Sequence, residues 1–282
     1  MRWQDLRRSG NVEDRRGMSG GGKVAIGGIG VVIVVVLGLL TGQDPGQIME
    51  NLQNSQAVEQ TGPRAAGPLP DDKTADFIKA VLGSTEDVWD QIYAENDAQY
   101  QHPTLQIFEN ATQGACGSAS SAMGPFYCPA DAKVYIDLSF CDELRDKFRA
   151  PGDFAVAYVV AHEVGHHVQN LMGVSEQVQQ QRRRLSEAEY NKLSVKLELQ
   201  ADFLAGVWAN RANKMQNILE PGDLEAALTA ANAIGDDKLQ KQSQGYVVPD
   251  AFTHGSSQQR MYWFKKGYET GDLNQGKFND IR

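Results

Sequence analysis

Cysteine and basic surface are both scarce in this sequence, and each scarcity argues against a class of protein. The 282 residues include three cysteines, and no two of them have the C-x-x-C spacing of a cysteine-built zinc site. Lysine and arginine together number 27 against 36 aspartates and glutamates, which gives a formal net charge of -9. Because no stripe of basic residues interleaved with aromatics occurs after the first 23 residues, we predict no nucleic-acid partner.

Long apolar runs are also rare, and the one that stands out is VAIGGIGVVIVVVLGLL at residues 24–40. It carries no charge and is close to the lower limit of about 17 to 25 residues for a membrane-spanning helix. Basic side chains in residues 1–23 precede it, so the positive-inside rule predicts a cytoplasmic N-terminus and an extracytoplasmic remainder. A cleaved signal peptide is the alternative, although the run exceeds the usual apolar core of about 7 to 15 residues. The sequence thus predicts a single-pass inner-membrane protein anchored by this N-terminal helix.

The rest of the chain is predicted to form a linker and one domain. Residues 41–70 are polar, contain proline and glycine and lack periodicity, as a flexible linker does. In residues 71–282, alternating apolar and polar side chains predict strands at 105–110 and 133–140. Helical periodicity, capping residues and terminal glycines predict helices at 73–83, 84–96, 154–172, 186–213, 224–234 and 257–267. The domain is therefore expected to be α+β, mostly helical with a small sheet.

The strongest chemical signal is the string His162-Glu163-Val164-Gly165-His166. It lies in a predicted helix, where side chains four residues apart share a face and two imidazoles can hold one metal ion. We predict His162 and His166 as metal ligands and Glu163 as the residue that handles the catalytic proton. The alternative is a hydrogen-bonded polar face on a core helix, but the apolar residues before His162 would make that burial costly.

A third metal ligand is needed, because catalytic zinc usually takes three protein ligands and leaves one position for water. His167 is turned by about 100° from His166 on a helix, so we predict it to be a polar neighbour on the helix surface. His102 is predicted to lie in a loop, and the continuation H-E-x-x-H-x-x-G-x-x-H of the metzincins is absent. The third ligand is therefore expected on a different helix.

Glu198 is the predicted third ligand. It lies on the next long predicted helix, with Asp202 one turn further along the same face. A ligating histidine normally donates its second ring N–H to a carboxylate, which Asp202 can supply. Glu187 and Glu189 are weaker candidates near the start of that helix, and an exposed helical acid is the alternative for Glu198.

The cysteines allow two interpretations. Cys116 and Cys128 bracket a loop rich in glycine, serine and alanine and could close it as a disulfide in an oxidising compartment. Cys141 is then unpaired. Alternatively, all three are reduced thiols, with Cys128 or Cys141 buried as small apolar groups.

Several segments together resemble the YpfJ-like neutral zinc metallopeptidase family of bacteria, and the likeness covers almost the whole chain. They are MRWQDLRRSGNVEDRRG, the glycine-rich apolar run, GACGSASSAMGPFYCPADAKVYIDLSF, AHEVGHHVQNLMG, LELQADFLAGVWA and FTHGSSQQRMYWFKKG. The resemblance implies a zinc peptidase of the cell envelope with a zincin-like fold, and it matches Cys116 and Cys128 to paired cysteines. Glu198 and Asp202 are similar to the E-x-x-x-D pair of the gluzincins, the thermolysin-like peptidases that bind zinc through two histidines and a glutamate.

A further similarity concerns the group that stabilises the oxyanion. The run THGSSQQR, which starts at Thr253, resembles the T-H-P-x-x-x-x-R segment of membrane-associated gluzincins, with Gly255 in place of the proline. It implies His254 as the donor to the tetrahedral intermediate. The alternatives are His254 as a neighbour of a helix cap with Arg260 in a surface ion pair, and Tyr246 as the donor.

These observations predict a membrane-anchored zinc metallopeptidase with one Zn²⁺ per chain and a peptide or protein substrate. A zinc-bound water attacks the peptide bond, and Glu163 takes its proton and passes it to the leaving amine. The substrate is expected to lie extended along an edge strand, at either 124–127 or 135–138. Two other functions stay open: a catalytically inactive zinc-binding scaffold or chaperone of the envelope, and a hydrolase of a non-protein amide such as one in the cell wall.

Overall fold

The structure, a computed structural model, describes residues 1–17, 72–150 and 152–281. The membrane-spanning helix predicted at residues 24–40 and the linker predicted at residues 41–70 lie outside these ranges. Within the described ranges, no helix is both long enough and apolar enough to cross a membrane.

The sheet is small and mostly parallel. The strands in the described ranges are β1 (Val12–Asp14), β2 (Thr104–Phe108), β3 (Ala111–Gly114), β4 (Gly117–Ser120), β5 (Phe126–Cys128) and β6 (Lys133–Asp137). Four of them form a sheet in the order β1-β2-β6-β5, in which β5 runs antiparallel to β6, while β3 and β4 form a separate hairpin. Leu105 of β2 lies between its partners Val12 and Val134. The two predicted strands are thus confirmed and form the centre of the sheet.

Helices make up most of the described chain. They are α1 (Lys73–Ala94), α2 (Ser139–Asp146), α3 (Asp153–Leu171), α4 (Val174–Gln181), α5 (Glu187–Gln216), α6 (Asp223–Ala233), α7 (Asp236–Gln244) and α8 (Ser257–Thr270). Ser186 and Glu189 form the predicted capping box at the start of α5. The predicted strand at 133–140 is too long, because α2 already begins at Ser139. The mostly helical α+β class is confirmed, although the predicted helices do not include the short helices α2, α4 and α7.

Helix α1 replaces the two helices that the sequence predicted on either side of Gly83. Gly83 lies inside the helix, and a Cβ atom there would be 2.3 Å from the carbonyl oxygen of Arg7. Ser84, where the second predicted helix starts, is buried, and its hydroxyl donates to Oε1 of Gln216 at 3.0 Å. The glycine therefore makes room for a neighbouring segment and does not end the helix.

That neighbouring segment is residues 1–16, which we call the amino-terminal strap. The side chain of Trp3 is buried, and its Nε1 donates to Oδ2 of Asp153 at 2.9 Å. Arg7 pairs with the buried carboxylate of Glu86 at 2.8 Å. The strap also contains β1, which extends the sheet beside β2.

The strap changes the domain boundary that the sequence predicted. Residues 1–23 were expected to lie apart from a domain at 71–282, because the apolar run separates them in sequence. In the structure, Met1–Arg16 and Asp71–Arg282 form one compact unit. Hydrogen bonding between β1 and β2 and ion pairs between the strap and α1 account for this arrangement.

The three helices around the candidate site pack at the distance of backbone contact. A Cβ atom at Gly165 of α3 would lie 3.0 Å from the carbonyl oxygen of Ala201 in α5. A Cβ atom at Gly267 of α8 would lie 2.0 Å from the carbonyl oxygen of Phe203 in α5. The predicted helix end at Gly267 is therefore wrong, since this glycine serves close packing and α8 continues to Thr270. The short spacing brings side chains of α3, α5 and α8 together.

Candidate metal centre

Helices α3 and α5 bring three predicted ligands to one point. Ligand atoms of His162, His166 and Glu198 all lie within 4.8 Å of one another. Nε2 of His162 is 3.2 Å from Oε2 of Glu198, and Nε2 of His166 is 3.4 Å from Oε1 of Glu198. Tetrahedral zinc with ligands at about 2.0 to 2.1 Å separates neighbouring ligand atoms by about 3.4 Å. The donor set and its spacing therefore fit one zinc ion.

The second ring nitrogen of each histidine is also held. Nδ1 of His162 is 2.8 Å from Oδ1 of Asp202, the residue that the sequence placed in this role. Nδ1 of His166 is 2.9 Å from Oε1 of Gln169, whose own amide donates to the carbonyl of Leu197 at 2.7 Å. These contacts fix both rings with Nε2 directed to the cluster, as ligating histidines require.

Asp202 is in turn surrounded by donors that sequence reasoning did not assign to the site. Arg260 contacts both of its oxygens, with Nε at 2.8 Å and Nη2 at 2.9 Å, and the Tyr158 hydroxyl donates to Oδ1. Arg260 is 3% exposed, so the alternative that placed it in a surface ion pair is wrong. Tyr158 precedes His162 by one helical turn, so the two side chains share a helix face, and this spacing could have identified Tyr158 as part of the site. Arg260 is 58 residues from Asp202, and its signal in the sequence is the arginine that ends the segment resembling T-H-P-x-x-x-x-R.

The charges around the cluster favour a bound cation. Burial lowers the pKa of His162, but the carboxylates of Asp202 and Glu198 outweigh it and raise the pKa to about 10. Burial raises the pKa of Glu198, but the adjacent His166 and His162 lower it well below its ordinary value. The same negative potential that holds protons on the imidazoles attracts a metal ion. Burial raises the pKa of Glu163, which suits a carboxylate that must accept a proton.

The cluster lies in a cleft of about 650 Å³. Glu163 and His254 also line this cleft, together with the segment Gly124–Tyr127 that leads into and through β5. The apolar residues in the lining include Phe140, Phe148, Ile234 and Leu239. The cleft is therefore large enough for part of a peptide, and its lining contains both polar and apolar residues.

His254 is held at the cleft by Asp236. Its backbone N–H donates to Oδ2 of Asp236 at 2.6 Å, and its Nδ1 lies 3.2 Å from Oδ1. This contact raises the pKa of His254. Tyr246, the alternative donor, is 63% exposed and does not line the cleft.

The remaining histidines lie outside the cluster. His167 is 1% exposed, with Nε2 at 2.6 Å from the carbonyl oxygen of Gln101 and Nδ1 at 3.0 Å from the Tyr127 hydroxyl. The prediction of a surface position for His167 is wrong, because its side of α3 is covered by these neighbours. His102 lies in a loop beside Asp90, at 2.9 Å. As predicted, His102 lies in a loop away from the cluster.

The predicted disulfide is present. Cys116 and Cys128 are bonded, and Cys141 is a free thiol that is only partly exposed. The bond ties the hairpin of β3 and β4 to the end of β5, next to the strand segment that lines the cleft. It therefore links the glycine-rich loop to one wall of the candidate site.

Comparisons with known proteins agree with this geometry. A family model described as "Putative neutral zinc metallopeptidase" matches residues 1–278. The chain is 50% identical over 282 aligned residues to the uncharacterized protein YpfJ of Escherichia coli K12, with 96% of each chain covered. It is 41% identical over 208 residues to the uncharacterized protein Rv2575 of Mycobacterium tuberculosis H37Rv, with 70% of this chain and 69% of the relative covered.

The chain therefore belongs to this neutral zinc metallopeptidase family. The family resemblance inferred from the sequence segments is confirmed. No solved structure matches the chain.

Proposed function

We propose that this chain is a zinc-dependent peptidase that hydrolyses peptide bonds with Glu163 as general base. The observation that carries the proposal is the convergence of His162, His166 and Glu198 within 4.8 Å on a cleft that Glu163 also lines. Membership of a zinc metallopeptidase family supports the same reaction class.

The residues of the cleft have different proposed roles in hydrolysis. When bound, Zn²⁺ lowers the pKa of a coordinated water to about 7 and polarises the substrate carbonyl. Glu163 takes the proton from the attacking water and passes it to the leaving nitrogen. His162 and His166 would hold the ion through Nε2, because Asp202 and Gln169 contact their Nδ1 atoms.

The number of ligands supports a catalytic ion over a structural one. In the part of the chain that the structure describes, the cluster has three ligands, His162, His166 and Glu198. Structural zinc sites normally take a fourth protein ligand, whereas catalytic sites leave that position open. The position of the cluster on the cleft, beside Glu163, supports the same choice over an inactive scaffold.

Strand β5 is the proposed platform for the substrate backbone. Strand β6 is paired on both sides, by β2 and β5, whereas β5 lies at the edge of the described sheet. The segment Gly124–Tyr127 lines the cleft, so an extended peptide paired to it would pass the metal cluster. Of the two segments that the sequence offered, this one has the free edge.

His254 is the proposed donor to the oxyanion. Its side chain is 51% exposed on the cleft, while Asp236 holds it in place and favours its protonated form. A well-placed donor of this kind lowers the reaction barrier by about 2.7 to 4 kcal/mol.

The test compares the full-length wild-type protein with Glu163→Gln. Full length is needed because truncation near residue 70 would remove the amino-terminal strap. Zinc content and cleavage of casein are measured on both, with Glu187→Gln as a control at an exposed acid near the start of α5. We expect one zinc per chain in all three and a loss of about 10²- to 10⁴-fold in activity only in Glu163→Gln.

Two other results would contradict the proposed function. Zinc in both proteins with cleavage in neither would favour the scaffold, or the cell-wall amide hydrolase if fragments of peptidoglycan are cleaved instead. Absence of zinc from the wild type would show that the cluster is not a metal centre.

A further inference from the structure

A basic depression of about 510 Å³ adjoins the cleft. The depression and the cleft share Lys147 and Phe148 in their linings. We call this depression the basic pocket, and its polar lining consists of Lys147, Arg149, Thr229, Asn232, Lys238 and Gln242.

At two places, consecutive residues of the chain line the basic pocket and the cleft. Leu239 lines the cleft, and the preceding Lys238 lines the basic pocket. Ile234 lines the cleft, and the preceding Ala233 lines the basic pocket. Phe148 contributes to both. A ligand that leaves the metal cluster along this side therefore meets apolar side chains first and cationic ones next.

The charge of the basic pocket contrasts with the rest of the protein. The chain has a formal net charge of -9, yet no carboxylate is among the residues that line this pocket. Lys147 lies 3.7 Å from Glu143 on α2. Among the described residues, Arg149 and Lys238 form no ion pair, so two cations are free to bind an anionic group. Asn232 and Gln242 add hydrogen-bond donors, and the anionic groups of an unmodified peptide are carboxylates.

We infer that the basic pocket binds a carboxylate of the peptide substrate, on the far side of an apolar side chain that packs against Phe148, Ile234 and Leu239. The carboxylate comes from an acidic side chain or from the C-terminus of the peptide. This inference rests on the proposed peptidase function and names its substrate class.

The test uses fluorogenic peptides with one aspartate moved through the positions near the scissile bond, each matched with an asparagine peptide. A second pair of short peptides differs only in a free or amidated C-terminus. At one position the aspartate peptide should have a KM about five- to tenfold lower, as expected for a pair of exposed ion pairs. The preference should weaken with added salt. Preference for the free C-terminus would identify that source of the carboxylate.

The double variant Arg149→Gln, Lys238→Gln should lose this preference, so that the aspartate and asparagine peptides have the same KM. The matched control is Arg183→Gln, Lys214→Gln, which removes two exposed cations outside both linings. An acidic preference that survives in the first variant, or no acidic preference in the wild type, would overturn the inference.

Binding separates this inference from the proposed function. The affinities of the same peptides for Glu163→Gln protein are measured by fluorescence anisotropy. If the wild type cleaves nothing but the aspartate peptides bind more tightly, the anionic site stands and the peptidase proposal fails. If both peptide series are cleaved equally and bound equally, the peptidase proposal stands and the anionic site fails.

The amino-terminal strap carries a second, independent inference about the compartment of the protein. The carboxylate of Glu86 is 1% exposed and accepts hydrogen bonds from Ser9 at 2.6 Å and from Asn11 at 2.7 Å. Strand β1 pairs in parallel with β2. A membrane core about 30 Å thick cannot lie between groups in such contact.

We propose that residues 1–16 and residues 72–281 lie on the same side of the cell membrane. The expectation from the sequence, with residues 1–23 in the cytoplasm and the catalytic domain outside, would separate the partners of Glu86. Residues 24–40 lie outside the described ranges, and the inference rests on the strap contacts alone.

Cysteine labelling of intact Escherichia coli cells tests this arrangement. Asp5→Cys reports on the strap and Gln179→Cys on α4, each in a Cys141→Ala background, with a maleimide that does not cross membranes. Both sites should label in the same compartment, either both before or both after permeabilisation. Labelling of one site before and the other only after permeabilisation would overturn the proposal.

Discussion

Two buried carboxylates organise different regions of this molecule, the metal centre and the amino-terminal strap. Asp202 is fully buried and accepts hydrogen bonds from Arg260 and Tyr158 while it holds Nδ1 of His162. Its contacts join α3, α5 and α8 behind the metal cluster. Through Asp202, the packing of three helices therefore sets the orientation of His162, one of the proposed metal ligands.

Glu86 is buried to a similar degree but faces a different set of donors. They belong to Arg7, Ser9 and Asn11, all within the strap. None of them lines the cleft. Glu86 therefore joins two segments that are distant in sequence, and it leaves the chemistry of the site untouched.

The comparison shows that burial of a charge does not by itself identify its role. The partners decide whether a buried carboxylate positions a ligand or holds the fold together. Changes at Asp202 should affect zinc affinity and stability together, whereas changes at the strap should affect stability alone.

Removal of the Asp202 carboxylate should have the largest effect. In Asp202→Ala, Arg260 is left buried without its counter-charge, which costs about 3 to 5 kcal/mol of unfolding free energy. Zinc affinity should fall about 10- to 100-fold because His162 loses the group that orients it. Urea unfolding and zinc titration measure the two effects. Asp202→Asn keeps an oxygen acceptor and should lose less of both, and unchanged zinc affinity in the alanine variant would contradict the role given to Asp202.

An added methyl group at Gly83 should have the next largest effect. Its Cβ atom would lie 2.3 Å from the carbonyl oxygen of Arg7, so the strap or α1 must shift. We expect a loss of about 1 to 3 kcal/mol of stability with unchanged zinc affinity. Gly10→Ala is the matched control in the strap, because no atom lies within 4 Å of the added group. Equal stability of the two variants would show that the strap does not pack closely on α1.

Acid should weaken the strap by a smaller amount. The hydrogen bond from Arg8 lowers the pKa of Asp76, and the hydrogen bond from Lys133 lowers the pKa of Glu13. Because the folded-state pKa lies below the unfolded one, each carboxylate stabilises the fold above about pH 4. That contribution is lost as the pH falls through the folded-state value.

Unfolding free energies measured between neutral and acidic pH test this dependence. Asp76→Asn should be less stable than the wild type at neutral pH and should approach it in acid. The same difference at every pH would contradict the assignment of this pKa shift to the pair with Arg8.

Local patterns in the sequence were sufficient for much of the site. The spacing of His162 and His166 on one helix predicts a shared face, and Glu198 with Asp202 repeats that spacing on the next long helix. The capping box at Ser186 marks the start of α5. Such features depend on residues within a turn of one another, so they can be recognised without knowledge of the fold.

Other features depend on neighbours that are far away in sequence. The pattern around Gly83 is typical of a helix end, yet the glycine is explained by the carbonyl of Arg7, 76 residues earlier. His167 has the spacing of a surface residue, but Gln101 and Tyr127 bury it. Arg260 reaches Asp202 from a different helix.

The sequence by itself determined the family and the helical spacing of the candidate ligands. Helical periodicity and side-chain chemistry act over a few residues, and they do not change with the surroundings. Only the tertiary structure decided that Glu198 meets the two histidines, that Arg260 is buried behind them and that the strap belongs to the same unit. These outcomes depend on which surfaces pack together, because burial and partner choice are properties of the whole fold.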